Sequence, residues 1–273
     1  MNAPAVFPEN FKSLHAHEEA NREKSVAAVS GDELLALHFD ALERSMNLLE
    51  YFARGWKTDD PDDIALQLLG IRLFNGAGAA IKLLLAGYHQ AAASQAREVL
   101  ETSFLVDLLA NDKPLITAWR LASDQELKKR FRPLKVRLAL DKRYGHTTMQ
   151  RAAHYSLLSS LASHPTPQGF RLLRPGPNQP AFIGPFFNDE SLKAVGSELA
   201  KVVIPAASNF RRHFQERAKG LADCEVVLHH LEGVGRWMEK FFHRPYDPAP
   251  ARELASIIAE LKRQVHTGRE SLD

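Results

Sequence analysis

The run Tyr88-His-Gln-Ala-Ala-Ala-Ser-Gln-Ala-Arg97-Glu-Val-Leu-Glu101-Thr-Ser-Phe-Leu-Val-Asp-Leu-Leu-Ala110 holds no Pro or Gly, and it reads as one helix of roughly twenty residues. At about 100° per residue, Ala93, Arg97, Leu100, Glu101, Phe104 and Leu108 share one broad face, opposite Gln95 and Thr102. A charge pair therefore sits inside an apolar stripe. Leu105, Val106 and Leu109 make the last turns apolar on the other sides too, the pattern of a helix surrounded by neighbours. The run is expected to be the central helix of an all-α bundle of about eight or nine helices.

Outward from it, the helix signals are clear. Upstream, Asp60-Pro61-Asp62-Asp63 supplies a cap, a first-turn proline and two acids that favour a helix N-terminus. Its helix runs to Gly87, and the small residues of Asn75-Gly-Ala-Gly-Ala-Ala80 suit close helix packing, since neither a strand nor a phosphate-loop pattern accompanies them. Earlier still, Asp32 caps a helix carrying Leu35, Leu42, Leu49 and Phe52, while residues 1–28 show a weak pattern and are expected to form a partly ordered arm. Downstream, Ser123-Asp-Gln-Glu126 is a capping box that opens a helix expected to kink at Pro133. Another helix through Tyr155 and Ser159 stops at His164-Pro165, because a residue before proline leaves the helical region. Residues 169–187 are rich in Pro and Gly between two short apolar runs, which predicts a small β-hairpin insertion. A long helix capped by Asn188 or Asp189 and containing Pro205 follows, then one from about Ala222 to Phe242. The expected domains are thus the arm, a bundle over 29–245, and a C-terminal amphipathic helix within 246–273, set on the bundle or on a second copy of the chain.

The 273 residues are 45% hydrophobic and 25% charged, with a formal net charge of +2, the profile of an ordinary globular protein. Charge alone points to no polyanion. The single cysteine, Cys224, excludes an internal disulfide framework and suits a reducing compartment, so the cytoplasm is the expected location. The Ile64 to Ala86 run is broken by Gln67, Arg72, Asn75 and Lys82, so no membrane span is expected. No Glu has a His three residues later, which removes a ferritin-like di-iron bundle, and no metal or cofactor is expected.

Two sets of residues can carry chemistry. Arg97 precedes Glu101 by one turn, the less favourable order for a purely helical pair, so each is expected to have partners elsewhere. Tyr155, Ser159 and His164 supply them: a phenol, a hydroxyl and an imidazole that titrates near neutrality. Such a cluster binds an anionic ligand or does acid–base work with His164 and Tyr155, and it serves equally as a satisfied network that fixes helix packing. The second set is basic. Lys128, Lys129, Arg130, Arg132, Lys135, Arg137, Lys142 and Arg143 make either a nucleic-acid surface or a solvated helix face.

The run from Gly87-Tyr88 through Arg97-x-x-x-Glu101, the Phe131-x-Pro133 helix, and Tyr155-x-x-x-Ser159-x-x-x-x-His164 with its Pro/Gly-rich sequel resemble a family of uncharacterised, mostly bacterial all-helical proteins. The resemblance covers residues 60–215 or so and implies a helical fold without an established activity. In style the chain is also similar to HEPN-type helical proteins of toxin and anti-phage systems, whose nucleases use an Arg, four to six residues, then a His. Arg236 and His243 alone have that spacing, with a hydrophobic interior that departs from the pattern, so the nuclease assignment is not carried over. Two functions are therefore expected. One is a helical ligand-binding or protein-interaction protein organised around the polar cluster. The other, as the alternative, is an RNA- or nucleotide-directed enzyme of a toxin or anti-phage defence type using His164 and the basic helix. A cavity beside His164 would favour a ligand or a substrate, and a filled core a structural role.

Overall fold

In the computed structural model, which describes residues 6–110, 112–147 and 149–270, eleven α-helices follow one another and no strand occurs among the described residues. They are α1 (Glu9–Gly31), α2 (Glu33–Glu50), α3 (Pro61–Leu85), α4 (His89–Leu109), α5 (Lys113–Arg120), α6 (Asp124–Glu126), α7 (Pro133–Tyr144), α8 (Gln150–Leu158), α9 (Asp189–Arg212), α10 (Leu221–Phe242) and α11 (Ala249–Glu270). Three π-helical turns extend α2, α6 and α8, over Tyr51–Gly55, Leu127–Phe131 and Ser159–Ser163.

The quoted run forms α4, and α4 packs on α3, α9, α7 and α8. Leu66, Leu73, Val99, Leu199, Val203 and Phe210 are fully buried in the core these helices share, each contributing about 1.5 to 3 kcal/mol. Close approach needs small residues. A Cβ on Gly70 would lie 2.4 Å from the Phe210 ring, and one on Gly76 2.8 Å from Val99 Cγ2, which is the packing role expected of the Asn75–Ala80 segment. Thr102, placed on the open side by helical spacing, is buried at 6% exposure because α3 covers that side of α4 through Arg72.

The expected caps form. Asp32 Oδ1 accepts from Leu35 N–H, Asp60 from Asp62 N–H, and Asn188 Oδ1 from Ser191 N–H, while Ser123 and Glu126 close a reciprocal capping box. Pro133 does more than kink its helix. Arg132 is extended (φ −61°, ψ 149°) and Pro133 starts α7 afresh, so one expected helix becomes two. The N-terminal segment also departs from the expected arm: residues 9–31 are one helix, mostly exposed along its length, whose sequence carries too little apolar periodicity to announce it. The first five residues of that arm and the last three of the C-terminal segment lie outside the described residues.

The expected β-hairpin is absent. Gly169–Leu173 is a 3₁₀ turn, and the chain then runs irregularly to Asn188. The prolines at 175, 177, 180 and 185 remove the donors a ladder needs, leaving one rung, Phe182 N–H to Leu173 C=O at 2.8 Å. The loop is instead pinned to the start of α4. Gly87, at φ +95°, lets its carbonyl accept from Phe186 N–H at 3.2 Å, and a Cβ there would meet the Phe186 carbonyl oxygen at 2.6 Å. At the far end, α11 rests on α10 through buried Ala251 and Ile258 and leaves Ile257 45% exposed.

Only α3 among the described residues is long and apolar enough by composition to cross a membrane, with a mean hydropathy of 1.5 over its best window. Its apolarity has another use here. Leu66, Leu69, Leu73, Ala77, Ala80 and Leu84 enter the core, whereas Ile64, Leu68 and Ile71 form a second, exposed stripe.

Candidate ligand-binding groove and its polar cluster

Arg97 projects from the middle of α4 toward α8 and its π-helical extension. Its Nη2 donates to Glu101 Oε1 at 2.7 Å and to the Tyr155 hydroxyl, and its Nε donates to Ser159 Oγ at 2.9 Å. The guanidinium also lies 4.8 Å from the centre of the Tyr155 ring. Four of the five expected cluster members are thus in direct contact. Arg97 and Glu101 keep 23% and 26% of their side chains exposed, so the pair is half-buried, and Ser159 is buried.

His164 does not join them. The π turn adds a residue between Ser159 and the end of the helix, and Pro165 holds His164 extended at φ −117°, ψ 145°, with its imidazole exposed and bonded to no described residue. A residue the sequence offered as surface takes the inner position. Arg137, counted with the basic helix, is buried at 8% exposure and stacks 3.9 Å from the Tyr155 ring centre, so two guanidinium groups contact Tyr155. Its Nε and Nη1 are buried without a hydrogen-bond partner.

On the other side of Glu101 lies a solvent-open groove of about 920 Å³ between α3, α4, α5 and the α6–α7 segment. Ile64, Leu68, Leu69, Leu105 and Phe131 make its lining largely apolar, and Glu101 and Thr102 bring polar atoms to it from α4. The charges that reach it are paired: Arg72 with Glu98, Arg120 Nε with Asp62 Oδ1 at 2.8 Å, and Glu101 with Arg97. The cavity is therefore beside Glu101, and His164 does not line it.

The basic segment divides in two. Arg143 donates to the carbonyls of Asp107 and Leu108 at 2.9 Å each, closing the C-terminus of α4, where a cation also meets the negative end of the helix dipole. Arg137 is internal, as described. Lys128, Lys129, Arg132 and Lys135 are exposed and form no ion pair, so the nucleic-acid candidates are all on the surface.

A second network escaped the sequence. Asp63, 1% exposed at the start of α3, accepts from His213 Nε2 at 2.6 Å, from both Nη atoms of Arg217, and from Thr58 Oγ1 at 2.9 Å. Burial pushes its carboxyl up in pKa, but Arg217, His213 and Thr58 outweigh that and hold it well below the usual carboxylate range. The two acids of Asp60-Pro61-Asp62-Asp63 thus do more than oppose a dipole, since Asp62 likewise binds Thr117 and Arg120. Nothing local in the sequence signals partners some hundred and fifty positions away.

Cys224 is buried on α10 and burial raises its thiol pKa, so it stays protonated and unreactive at neutral pH. Among the described residues no three of His, Cys, Asp and Glu are grouped to hold a metal ion. The cluster gives a direct test. Arg97→Ala is expected to cost about 2 kcal/mol, fewer than a fully buried pair would, because water can reach Glu101 from the groove. His164→Ala should change stability by less than about 0.5 kcal/mol. Urea titration of the two variants checks both values, and equal losses would contradict the placement of His164.

No protein-family model matches the chain, and neither a curated protein nor a solved structure matches it, so its function has to be argued from this groove and cluster alone.

Proposed function

We propose that the protein is a helical ligand-binding protein whose site is the groove between α3, α4 and the α6–α7 segment. The observation that carries this is the double engagement of Glu101: it lines the groove and is held there by Arg97, which is itself fixed by Tyr155 and Ser159. The cluster is then a wall support. It keeps one polar group rigid at the edge of an apolar cleft, the arrangement that orients a ligand whose affinity comes from apolar burial. The neutral dye Nile red tests it. The native protein should bind the dye with a blue-shifted emission, and Leu68→Arg should abolish binding by laying a charged side chain across the groove. Leu68 is 60% exposed, so the fold should survive, which circular dichroism would verify. Absent dye binding, or binding untouched by Leu68→Arg, would remove the reading.

One observation favours a second reading, an RNA- or nucleotide-directed enzyme: Lys128, Lys129, Arg132 and Lys135 are exposed without counter-ions, and His164 is exposed as well. On that reading a generic RNA should bind with an affinity that falls steeply as salt rises, and Lys128→Glu with Arg132→Glu should weaken it at least tenfold at low salt. Filter binding at two salt concentrations decides it, since no retention at low salt eliminates the idea.

A further inference from the structure

We infer that the groove takes a single-chain amphiphile with an anionic head, its alkyl chain along α3 and its head at the π turn Leu127–Phe131. This rests on the ligand-binding reading and adds the class of ligand. The argument starts from the geometry of the turn. In a π turn residues four apart still fall near one side, and here Leu127 and Phe131 both line the groove. The residues between and just after them, Lys128, Lys129, Arg130 and Arg132, are exposed and form no ion pair. Four cations therefore stand on or next to the turn that carries two residues of the apolar lining, and none of the four is itself a lining residue. Two acids precede them, Asp124 and Glu126; Glu126 closes the capping box, accepting from Ser123 N–H and Oγ–H at 2.8 Å each, and its charge also faces Arg130, so four cations against two acids leave the turn net positive.

Inside the groove the balance is different. Arg72, Arg120 and Glu101 are each neutralised by Glu98, Asp62 and Arg97, so no net charge awaits a partner along the floor. What remains there is unburied hydrocarbon: Leu68 is 60% and Ile64 41% exposed, four residues apart on one face of α3. An apolar track beside a turn with an excess of positive charge complements a chain of methylenes ending in a carboxylate, phosphate or sulfate. Size agrees. Three turns of a partner helix with its side chains, about 10 Å across and 16 Å long, fill roughly 1,200 Å³, against about 920 Å³ here, whereas one extended alkyl chain fits within it. Nucleic acid fits less well, because the one aromatic of the turn, Phe131, is 9% exposed and faces inward, unavailable for base stacking.

The test displaces bound Nile red from the full-length protein with dodecanoate, decanoate and dodecanol, each below its micellar concentration. Dodecanoate should compete at least tenfold better than dodecanol, and each methylene added between decanoate and dodecanoate should tighten binding about fourfold. Lys128→Glu with Arg132→Glu should weaken dodecanoate about tenfold and leave dodecanol unchanged, while Leu68→Arg should abolish both. Dodecanol competing as well as dodecanoate, or a charge-reversed variant with native selectivity, overturns the head-group assignment with the groove reading intact. An RNA oligonucleotide or an acidic amphipathic peptide that displaces the dye more tightly than dodecanoate overturns it as well. Failure of Nile red itself to bind removes the groove reading and this inference together.

Discussion

Asp63→Ala is expected to lower stability by about 3 kcal/mol, toward the lower end of the roughly 3 to 5 kcal/mol seen when one partner of a buried ion pair is removed. The carboxylate is the meeting point of three segments: Thr58 from the α2–α3 loop, His213 from the end of α9, and Arg217 beyond it. Deleting it leaves their donors facing a hole. Arg217 keeps 43% of its side chain exposed and can turn to water, but His213 keeps only 8% and cannot. That asymmetry places the loss at the lower end. For a chain of this size the melting temperature should fall by about 6 to 12 °C. Glu50→Ala makes a fair comparison, since its pair with Arg54 lies in solvent, 81% exposed on the arginine side, and should change stability by less than about 0.5 kcal/mol. A urea titration in which Asp63→Ala lost under 1 kcal/mol would show that the network is incidental.

That network marks the boundary of what the sequence makes legible. Helix starts are written locally, in one cap and the next three residues, and Asp32, Asp60-Pro61, Ser123 and Asn188 behave as their chemistry dictates. The cluster was legible for a related reason. An arginine amid an apolar stripe must find acceptors, and Tyr155 and Ser159, one turn apart on the next polar helix end, were the available ones. His164 shared their segment but not their direction, because the change from α to π spacing after Leu158 and the constraint of Pro165 are backbone details that a list of residue types does not carry. The hairpin is absent for the opposite reason: two short apolar runs suggest strands, but the prolines around them deny a ladder its donors. Arg137 and Asp63 are invisible locally, since a charged residue reads as surface until the tertiary fold closes over it. The groove left one trace, the second stripe Ile64, Leu68 and Ile71 on a helix whose core face was already complete.

Mild acid should destabilise the fold well before its carboxylates titrate. Three histidines are buried where a second proton is disfavoured. His38 Nδ1 accepts from Trp237 Nε1–H at 2.8 Å, so protonation would set one N–H against another. His89 pairs Nε2 with the Phe186 carbonyl at 3.0 Å and buries Nδ1 with no acceptor. His230 lies between the hydroxyls of Ser45 and Ser208 beside the Arg211 cation. Desolvation is the first cause of lowered pKa in all three, reinforced at His38 by Lys201 and at His230 by Arg211, which bring His230 to about 4 from 6.5. The sign follows from proton counting. The folded pKa values lie below the unfolded one, so below pH 6.5 the unfolded chain binds more protons and stability falls as pH falls; above it these groups contribute their full stability. His230 alone accounts for about 3 kcal/mol between pH 6.5 and about 4. His38 and His89 steepen the fall in the same direction, against a total stability of roughly 5 to 15 kcal/mol. Urea titrations at neutral pH and at two acidic values should show a falling midpoint with an unchanged m-value. His230→Gln, whatever it costs at neutral pH, should reduce the slope by about one proton, or roughly 1.4 kcal/mol per pH unit. A stability that stays flat down to the carboxylate range would mean that these imidazoles accept protons in the folded state, and that the packing around His38, His89 and His230 is looser than the contacts described for them.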